Sequence, residues 1–282
     1  MEMTMAYEDK LYTGDCVKAM EKMPKGVVNL AFCDPPYNIG YDYHGEYDDE
    51  LTPGQYAEWS QRWIVAVRNV LTDDGSFWLA IGDEWAAELK LLCRECGFHM
   101  RSWIVWYYTF GVNSTKKFTR SHAHLLYFTK HKKNFVFNID QIRVPSSRTL
   151  VYKDKRANPR GRLPDDTWIL RPQELGVEAF PEHGNTWHIP RVCGTFKQRI
   201  KDAPNQMPEQ LIGRIIRACS NPGDLVLDPM AGTGTTLAVA KKLDRRYLGF
   251  EASANFADVA RHRIAGATVG EELDGPIPQG SH

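Results

Sequence analysis

The chain has 282 residues, 43 % hydrophobic and 25 % charged, with 8 Trp, 12 Tyr and 12 Phe, enough for a large core in one domain or one domain with an insertion. Its 35 basic residues balance 35 acidic ones, which argues against a protein that is basic over its whole surface. No run approaches eighteen apolar residues, the start MEMTMAYEDK has no apolar signal-peptide centre, and the six cysteines are scattered, so a soluble, cytoplasmic protein is expected.

Apolar runs and helical patterns alternate along most of the chain, the pattern of an α/β layer architecture. A strand over 10–13 leads through Gly14-Asp15-Cys16 into a helix over 16–22. The next strand, 27–34, runs directly into Asp34-Pro35-Pro36-Tyr37-Asn38-Ile39-Gly40. Two consecutive prolines block continuation of either a helix or an internal ladder. A carboxylate is thus fixed at the end of a buried strand, followed by a stiff turn and an aromatic ring. An isolated Asp-Pro reads as ordinary turn chemistry; the full tetrapeptide after a strand is much rarer. Asn38, Ile39 and Gly40, with YDYHGEYDD after them, read as a mobile loop.

A helix over 53–70 has Pro53 in its first turn and Thr52 near its cap. A strand over 76–81 and a helix over 84–96 follow. That helix carries Cys93 and Cys96 at CxxC spacing with His99 nearby. No further ligands follow at a matching spacing, so the thiols read as structural and no metal is expected. Strands over 103–109 and 124–129 complete this half.

The alternation breaks between about 134 and 196, where the chain is polar, basic and punctuated by proline. Between Lys116 and Arg171 there are 14 Lys and Arg against 4 Asp and Glu, and six aromatics lie between Phe135 and Trp187. Basic residues interleaved with rings suit contact with a phosphate backbone, while a solvated surface is the plainer alternative. The candidates are Lys116, Lys117, Arg120, Arg148, Lys153, Lys155, Arg156, Arg160 and Arg162, with Asn38 from the earlier loop.

A helix over 208–220, with Pro208 in its first turn and Asn205 near its cap, precedes GDLVLDPMAGTGTTLAVAKKLDRRYLGFE. That segment reads as a strand over 224–228, a glycine turn, a helix over 235–243 and a strand over 247–251; a last helix over 254–264 and a frayed tail follow. Gly232 and Gly234 permit close approach of a ligand and are expected to leave amides pointing outward. Glu251 ends a strand where an acid can accept from ribose hydroxyls. The third glycine of a dinucleotide fingerprint is missing, so an ordinary strand-to-helix turn stays open on this segment alone.

Together, Asp-Pro-Pro-Tyr at 34–37 and Asp-Pro-Met-Ala-Gly-Thr-Gly-Thr-Thr at 228–236 resemble the S-adenosylmethionine-dependent DNA amino-methyltransferases, in the motif order of their β group. LYTGDC, DDGSFWLAIGDE, SWIVWYYTF and FTRSHAHLLYFTK resemble further segments of that family. APNQMPEQLIGRII is similar to its His-Pro-Thr-Gln-Lys-Pro segment, with Ala203 and Met207 in place of His and Lys. The resemblance implies a Rossmann-like methyltransferase fold, circularly permuted, with a mixed seven-stranded sheet and helices on both faces. It implies catalytic Asp34, Pro35, Pro36 and Tyr37, and cofactor contacts from Asp15, Cys16, Asp34, Asp228, Ala231, Gly232, Gly234, Thr235, Thr236 and Glu251. Double-stranded DNA would be the partner, and homodimers are common in the group. Residues 1–137 would form the catalytic half, 138–195 an inserted target-recognition region, 196–265 the cofactor half and 266–282 a flexible tail.

In the implied chemistry Asp34 and the Pro35 carbonyl accept the two hydrogens of a nucleobase amine and draw its nitrogen toward tetrahedral geometry. Tyr37 offers a stacking face to a base rotated out of the duplex. No Pro-Cys pair occurs in the chain, which disfavours carbon methylation. Asp at the first motif position favours adenine over cytosine; cytosine, or an RNA amine, remains the alternative.

Overall fold

The computed structural model describes residues 7–41, 47–108, 115–116, 118–144, 146–150, 152–168 and 206–274. The first half contains β1 (Lys10–Thr13), α1 (Cys16–Met20), β2 (Val28–Cys33), α2 (Pro53–Val70), β3 (Leu71–Ile81), α3 (Ala86–Glu95), β4 (His99–Tyr107) and β5 (His122–Thr129). After α4 (Ser147–Leu150) and the two-residue β6 (Thr167–Trp168) come α5 (Glu209–Cys219), β7 (Leu225–Asp228), α6 (Thr235–Lys242), β8 (Arg246–Glu251) and α7 (Ala254–Gly266).

These strands form one mixed sheet in the order β1-β8-β7-β2-β3-β5-β4-β6. Every neighbouring pair is parallel except those made by β5, which runs against β3 and β4. The expected seven strands are present, and β6 adds a short eighth through Val105↔Thr167 and Trp106↔Trp168.

The central strands read as continuous apolar runs because both faces are covered. Ala31 and Cys33 of β2, with Phe77, Leu79 and Ile81 of β3, pack in one cluster with α2 residues Tyr56, Trp63 and Val67 and with Leu89 of α3. The alternate residues Leu30, Phe32, Trp78 and Ala80 face α5, through Leu211, Ile212, Ile215 and Ile216. Helix α2 starts where the sequence says it should. Thr52 and Gln55 form a capping box over Pro53, with the Gln55 side chain accepting from the Thr52 N–H at 3.0 Å. Pro208, by contrast, is the N-cap of α5 rather than a first-turn residue. Asn205 lies outside the described residues.

One expectation changes. The tail does not fray at residue 266: Leu273 is buried against the α5 cluster, and the Asp274 N–H donates to Glu209 Oε2 at 2.9 Å. Glu209 is almost wholly buried, and it also receives Lys242 Nζ at 3.1 Å and Arg263 Nη2 at 2.9 Å. Burial alone would raise the Glu209 pKa, but the Asp274 amide, Arg263 and Lys242 outweigh it and hold it below the usual carboxylate range. Of the segment expected as an insertion, residues 138–168 are described apart from 145 and 151. It packs through Ile142 and Val144, with Val144 bridged to Arg162; residues 169–205 lie outside the described residues.

Removing the Glu209 carboxylate would leave buried Lys242 with the Glu271 carboxylate alone and take from the partly buried Arg263 its carboxylate partner. Glu209→Ala is therefore expected to cost about 3–5 kcal/mol of stability, read as the shift in the urea midpoint against the parent. Because the folded pKa is depressed, that difference is full above the ordinary glutamate pKa and shrinks as pH falls through the folded value.

Candidate active site

The junctions after β1, β2, β7 and β8 open on a single cavity of about 500 Å³. Gly14, Asp15, Cys16 and Val17 line one side, and Asp34, Pro35, Pro36 and Tyr37 another. Asp228 through Thr233, with Thr235 and Thr236, contribute a third wall; Glu251, Ala252, Ser253 and Phe256 a fourth. Tyr47, Trp59, Arg62, Phe32 and Met207 complete it. Segments nearly two hundred positions apart thus meet in one space.

The Asp34 end is stiff for reasons that the prolines only begin to explain. The Tyr56 hydroxyl, from the first turns of α2, donates to the Pro36 carbonyl at 2.7 Å. Pro36 is thereby an anchoring point, with its carbonyl taken up by the protein itself. The Tyr37 hydroxyl hydrogen-bonds the Asp34 carboxylate, and burial, then the charge on Asp34, pushes the phenol well above its usual range. Cys33, one residue before Asp34, is fully buried in the α2-side cluster, and burial likewise holds its thiol protonated.

The loop expected to be mobile after Tyr37 is clamped over residues 38–41. The buried Asp49 carboxylate accepts from the N–H groups of Asn38 at 2.8 Å, Ile39 at 3.0 Å and Tyr41 at 2.9 Å. Asn38 adopts φ 52°, and its side chain donates to the Leu51 carbonyl and accepts from the Leu51 N–H. The amide that sequence reading offered to DNA is therefore spent within the loop. Residues 42–46 lie outside the described residues.

On the opposite wall the turn after β7 also bonds inward, contrary to the expectation of outward-pointing amides. Met230 N–H donates to Asp228 Oδ1 at 3.1 Å, Ala231 N–H to the Phe250 carbonyl at 2.8 Å, and Gly232 N–H to Glu251 Oε2 at 2.7 Å. Glu251 Oε1 accepts from Ser253 N–H, so this carboxylate ties the glycine turn to the start of α7. Gly232 sits at φ 50°, and a Cβ there would meet nothing within 4 Å. Gly234 has a different role from the one expected. It does not line the cavity, and at φ 76° it lets α6 approach α7 so closely that a Cβ would lie 2.8 Å from that of Ala260.

Four carboxylates line the cavity: Asp15, Asp34, Asp228 and Glu251. Asp15 also caps α1, its Oδ1 accepting from Val17 and Lys18 N–H. Cys16 is pushed up to about 12, by burial first and by Asp15 second. Asp228 is 4 % exposed, and burial raises it to about 7 against the pull of Thr236 and the Met230 amide. The neighbouring Thr235 hydroxyl accepts from Arg263 at 2.7 Å, which ties this wall to the Glu209 cluster. A deep, acidic pocket of this kind favours a ligand that carries positive charge.

The basic residues fall elsewhere. Arg148 and Arg156 both pair with Asp154, Arg160 with Asp140 and Arg162 with Asp165. Arg120 pairs with Asp83 and Glu84, in the turn after β3 where Gly82 packs beside Tyr37. Lys153 and Lys155 are exposed, as is Lys116; Lys117 lies outside the described residues. Cys93 is buried in the α2–α3 cluster, and burial raises its thiol and that of Cys96.

Sequence reading missed Asp49, Tyr56, Trp59 and Arg62. The last three lie at three-residue spacing on α2, which puts them along one side of the helix; that spacing was the available signal.

A family model described as DNA methylase matches residues 28–262. The Type II methyltransferase M.HpaI of Haemophilus parainfluenzae is 34 % identical over 258 residues, covering 91 % of this chain and 74 % of that protein. The DNA adenine methyltransferase YhdJ of Escherichia coli strain K12 is 34 % identical over 259 residues, covering 89 % and 81 %. Among solved structures, the cytosine-N4-specific PvuII DNA methyltransferase shares the fold at TM-score 0.63 and 18 % identity, over 96 % of this chain and 88 % of that one. The M1.HpyAVI-SAM complex does so at TM-score 0.58 and 20 % identity, over 90 % and 98 %.

Asp228 gives the site a pH signature. Its folded pKa of about 7 lies above the ordinary aspartate value of about 3.9, so burial favours the protonated acid at mildly acidic pH. The associated stability is complete below the ordinary value and is lost as pH rises through the folded one. Asp228→Asn is expected to remove that decline, measured as urea midpoints at intervals between pH 4 and pH 8; an unchanged slope would show that Asp228 titrates normally.

Proposed function

We propose that this chain, which belongs to the DNA methylase family, transfers a methyl group from S-adenosylmethionine to the exocyclic N6 amine of adenine in double-stranded DNA. The observation that supports this reading best is the shared cavity: Asp34 and Tyr37 open on the same space as Asp228, Gly232 and Glu251. A chemistry that joins an amine to a separately bound methyl donor requires such a meeting. The donor set fits the cofactor, since acids dominate a pocket that must accept a sulfonium and an ammonium.

When bound, S-adenosylmethionine supplies an electrophilic methyl on a good leaving group. The protein's task is then mostly alignment, which is worth on the order of 7–11 kcal/mol when reacting groups are held in line. Asp34 accepts one amine hydrogen and the Pro35 carbonyl the other, which localises the nitrogen lone pair; once the nitrogen carries the methyl it gives up one hydrogen as a proton by way of the Asp34 carboxylate. Tyr56 fixes the turn by holding the Pro36 carbonyl. The incoming amine takes the place of the Tyr37 hydroxyl on Asp34, and the Tyr37 ring offers the face on which the base stacks, a contact worth about 1–3 kcal/mol. In this reading Glu251 receives the ribose hydroxyls of the cofactor and Asp15 its adenine, both from the walls of the cavity.

Adenine is favoured by Asp34 at the head of the motif and by the similarity to a DNA adenine methyltransferase at 34 % identity. DNA is gripped by the exposed arginines of the 148–162 segment. Their acid partners are surface pairs with small net energies, so exchange for phosphate is inexpensive.

Transfer of labelled methyl to duplex DNA, followed by nucleoside analysis, is expected to yield N6-methyladenine. N4-methylcytosine in its place would overturn the choice of base, and label in RNA alone the choice of polymer. Asp34→Ala is expected to lower transfer by about a hundredfold to a thousandfold with cofactor affinity nearly intact; equal activity would remove the catalytic assignment. Gly232→Val strains a left-handed residue and projects methyls into the cavity, so it is expected to abolish cofactor binding in a calorimetric titration.

A further inference from the structure

The cavity has an unequal charge inventory. Against its four carboxylates it has one lysine or arginine among the lining residues, Arg62. This residue lies on α2, one turn beyond Trp59, which also borders the space. Its side chain is exposed, and no carboxylate among the described residues pairs with it. S-adenosylmethionine has two cationic groups that suit the acids and one carboxylate that does not.

Backbone amides are the usual alternative for holding an anion, but here they are largely committed. Met230, Ala231, Gly232 and Gly234 N–H donate within the protein. The α1 terminus is capped by Asp15, and the α7 terminus by Ser253, whose Oγ accepts from Phe256 N–H. No side chain caps the start of α6, but Asp228, bonded to Thr236, stands beside it, and a carboxylate placed there would hold Asp228 protonated rather than let it ionise beside the cationic groups. Met207, which lines the cavity from the segment before α5, brings no charge.

We infer that Arg62 holds the amino-acid carboxylate of the cofactor. The inference rests on the reading of this cavity as the cofactor site. Arginine suits the role because its planar fork matches a carboxylate with two parallel hydrogen bonds. Partial exposure keeps the unliganded guanidinium hydrated, so the free protein bears no cost of a buried, unpaired charge.

The test uses two ligands that differ only in the amino-acid portion: S-adenosylhomocysteine has it, and 5′-methylthioadenosine lacks it. In calorimetric titrations, Arg62→Met is expected to weaken S-adenosylhomocysteine about tenfold, the scale of one charge-assisted contact, and to change 5′-methylthioadenosine by less than about twofold. Arg62→Lys, which keeps the charge but not the fork, is expected to fall between the parent and Arg62→Met. Unchanged S-adenosylhomocysteine binding in Arg62→Met would overturn the assignment, as would equal weakening of both ligands, which marks a structural role. A fall in duplex DNA affinity by fluorescence anisotropy, with cofactor titration unaltered, would assign Arg62 to a DNA phosphate instead. If Gly232→Val titrates normally with S-adenosylhomocysteine, the cavity reading itself fails, whatever the Arg62 variants do.

Discussion

The site depends on the parallel pairing of β2 with β7, in the register Leu30↔Val226 and Ala31↔Leu227. Parallel strands present their C-terminal ends at one edge, so this pairing delivers Asp34 and the turn after Asp228 to the same place. It is also where the sheet changes direction: the chain proceeds from β2 to β3 on one side and from β7 to β8 on the other. The connections after two adjacent strands then diverge and leave a crevice between them, the usual ligand position in open α/β sheets. Asn29 reinforces the pairing by accepting from the Leu225 N–H at 3.0 Å. Without that register the two motifs would be ordinary strand ends.

Much of this was readable from the residues because it is local. The strand before Asp34, the helix from Pro53 to Val70 and the succession of strand, turn and helix around Gly232 follow from hydrophobic period, proline position and capping chemistry. What escaped was pairing over distance. The Tyr56–Pro36 bond spans 20 positions, the grip of Asp49 on Asn38 spans 11, and Asp274 reaches Glu209 across 65. No periodicity encodes such contacts. The tail looks frayed by composition, yet one buried leucine and one amide on a buried carboxylate are enough to dock it as far as Asp274.

The glycine turn shows how a correct motif can still be misread in detail. Gly232 and Gly234 look alike in sequence, and both have positive φ. One opens on the cavity; the other is pressed against Ala260. The motif fixes the backbone conformation, while the neighbouring helix decides what each glycine is for. Glu251 is similar. Its position at the end of β8 suits ribose, but its first use in the protein is to hold the turn and the start of α7 together. A carboxylate has about four lone-pair sites, so these internal bonds leave room for the ribose contact of the proposed reading.

On the proposed reading, the acidic lining also separates substrate from product. Methyl transfer turns a sulfonium into a neutral thioether, so the cofactor loses one positive charge while the walls stay the same. A pocket with four carboxylates and one cation then holds the spent cofactor less well than the fresh one, because Coulombic attraction is strongest where water is excluded. Asp228 can share in the change: with a folded pKa of about 7, it ionises readily beside a cationic ligand and takes its proton back when that charge is gone. The burial that makes Asp228 costly to ionise thus makes it responsive to the positive charge that leaves the cofactor with the methyl group and departs from the nitrogen as a proton.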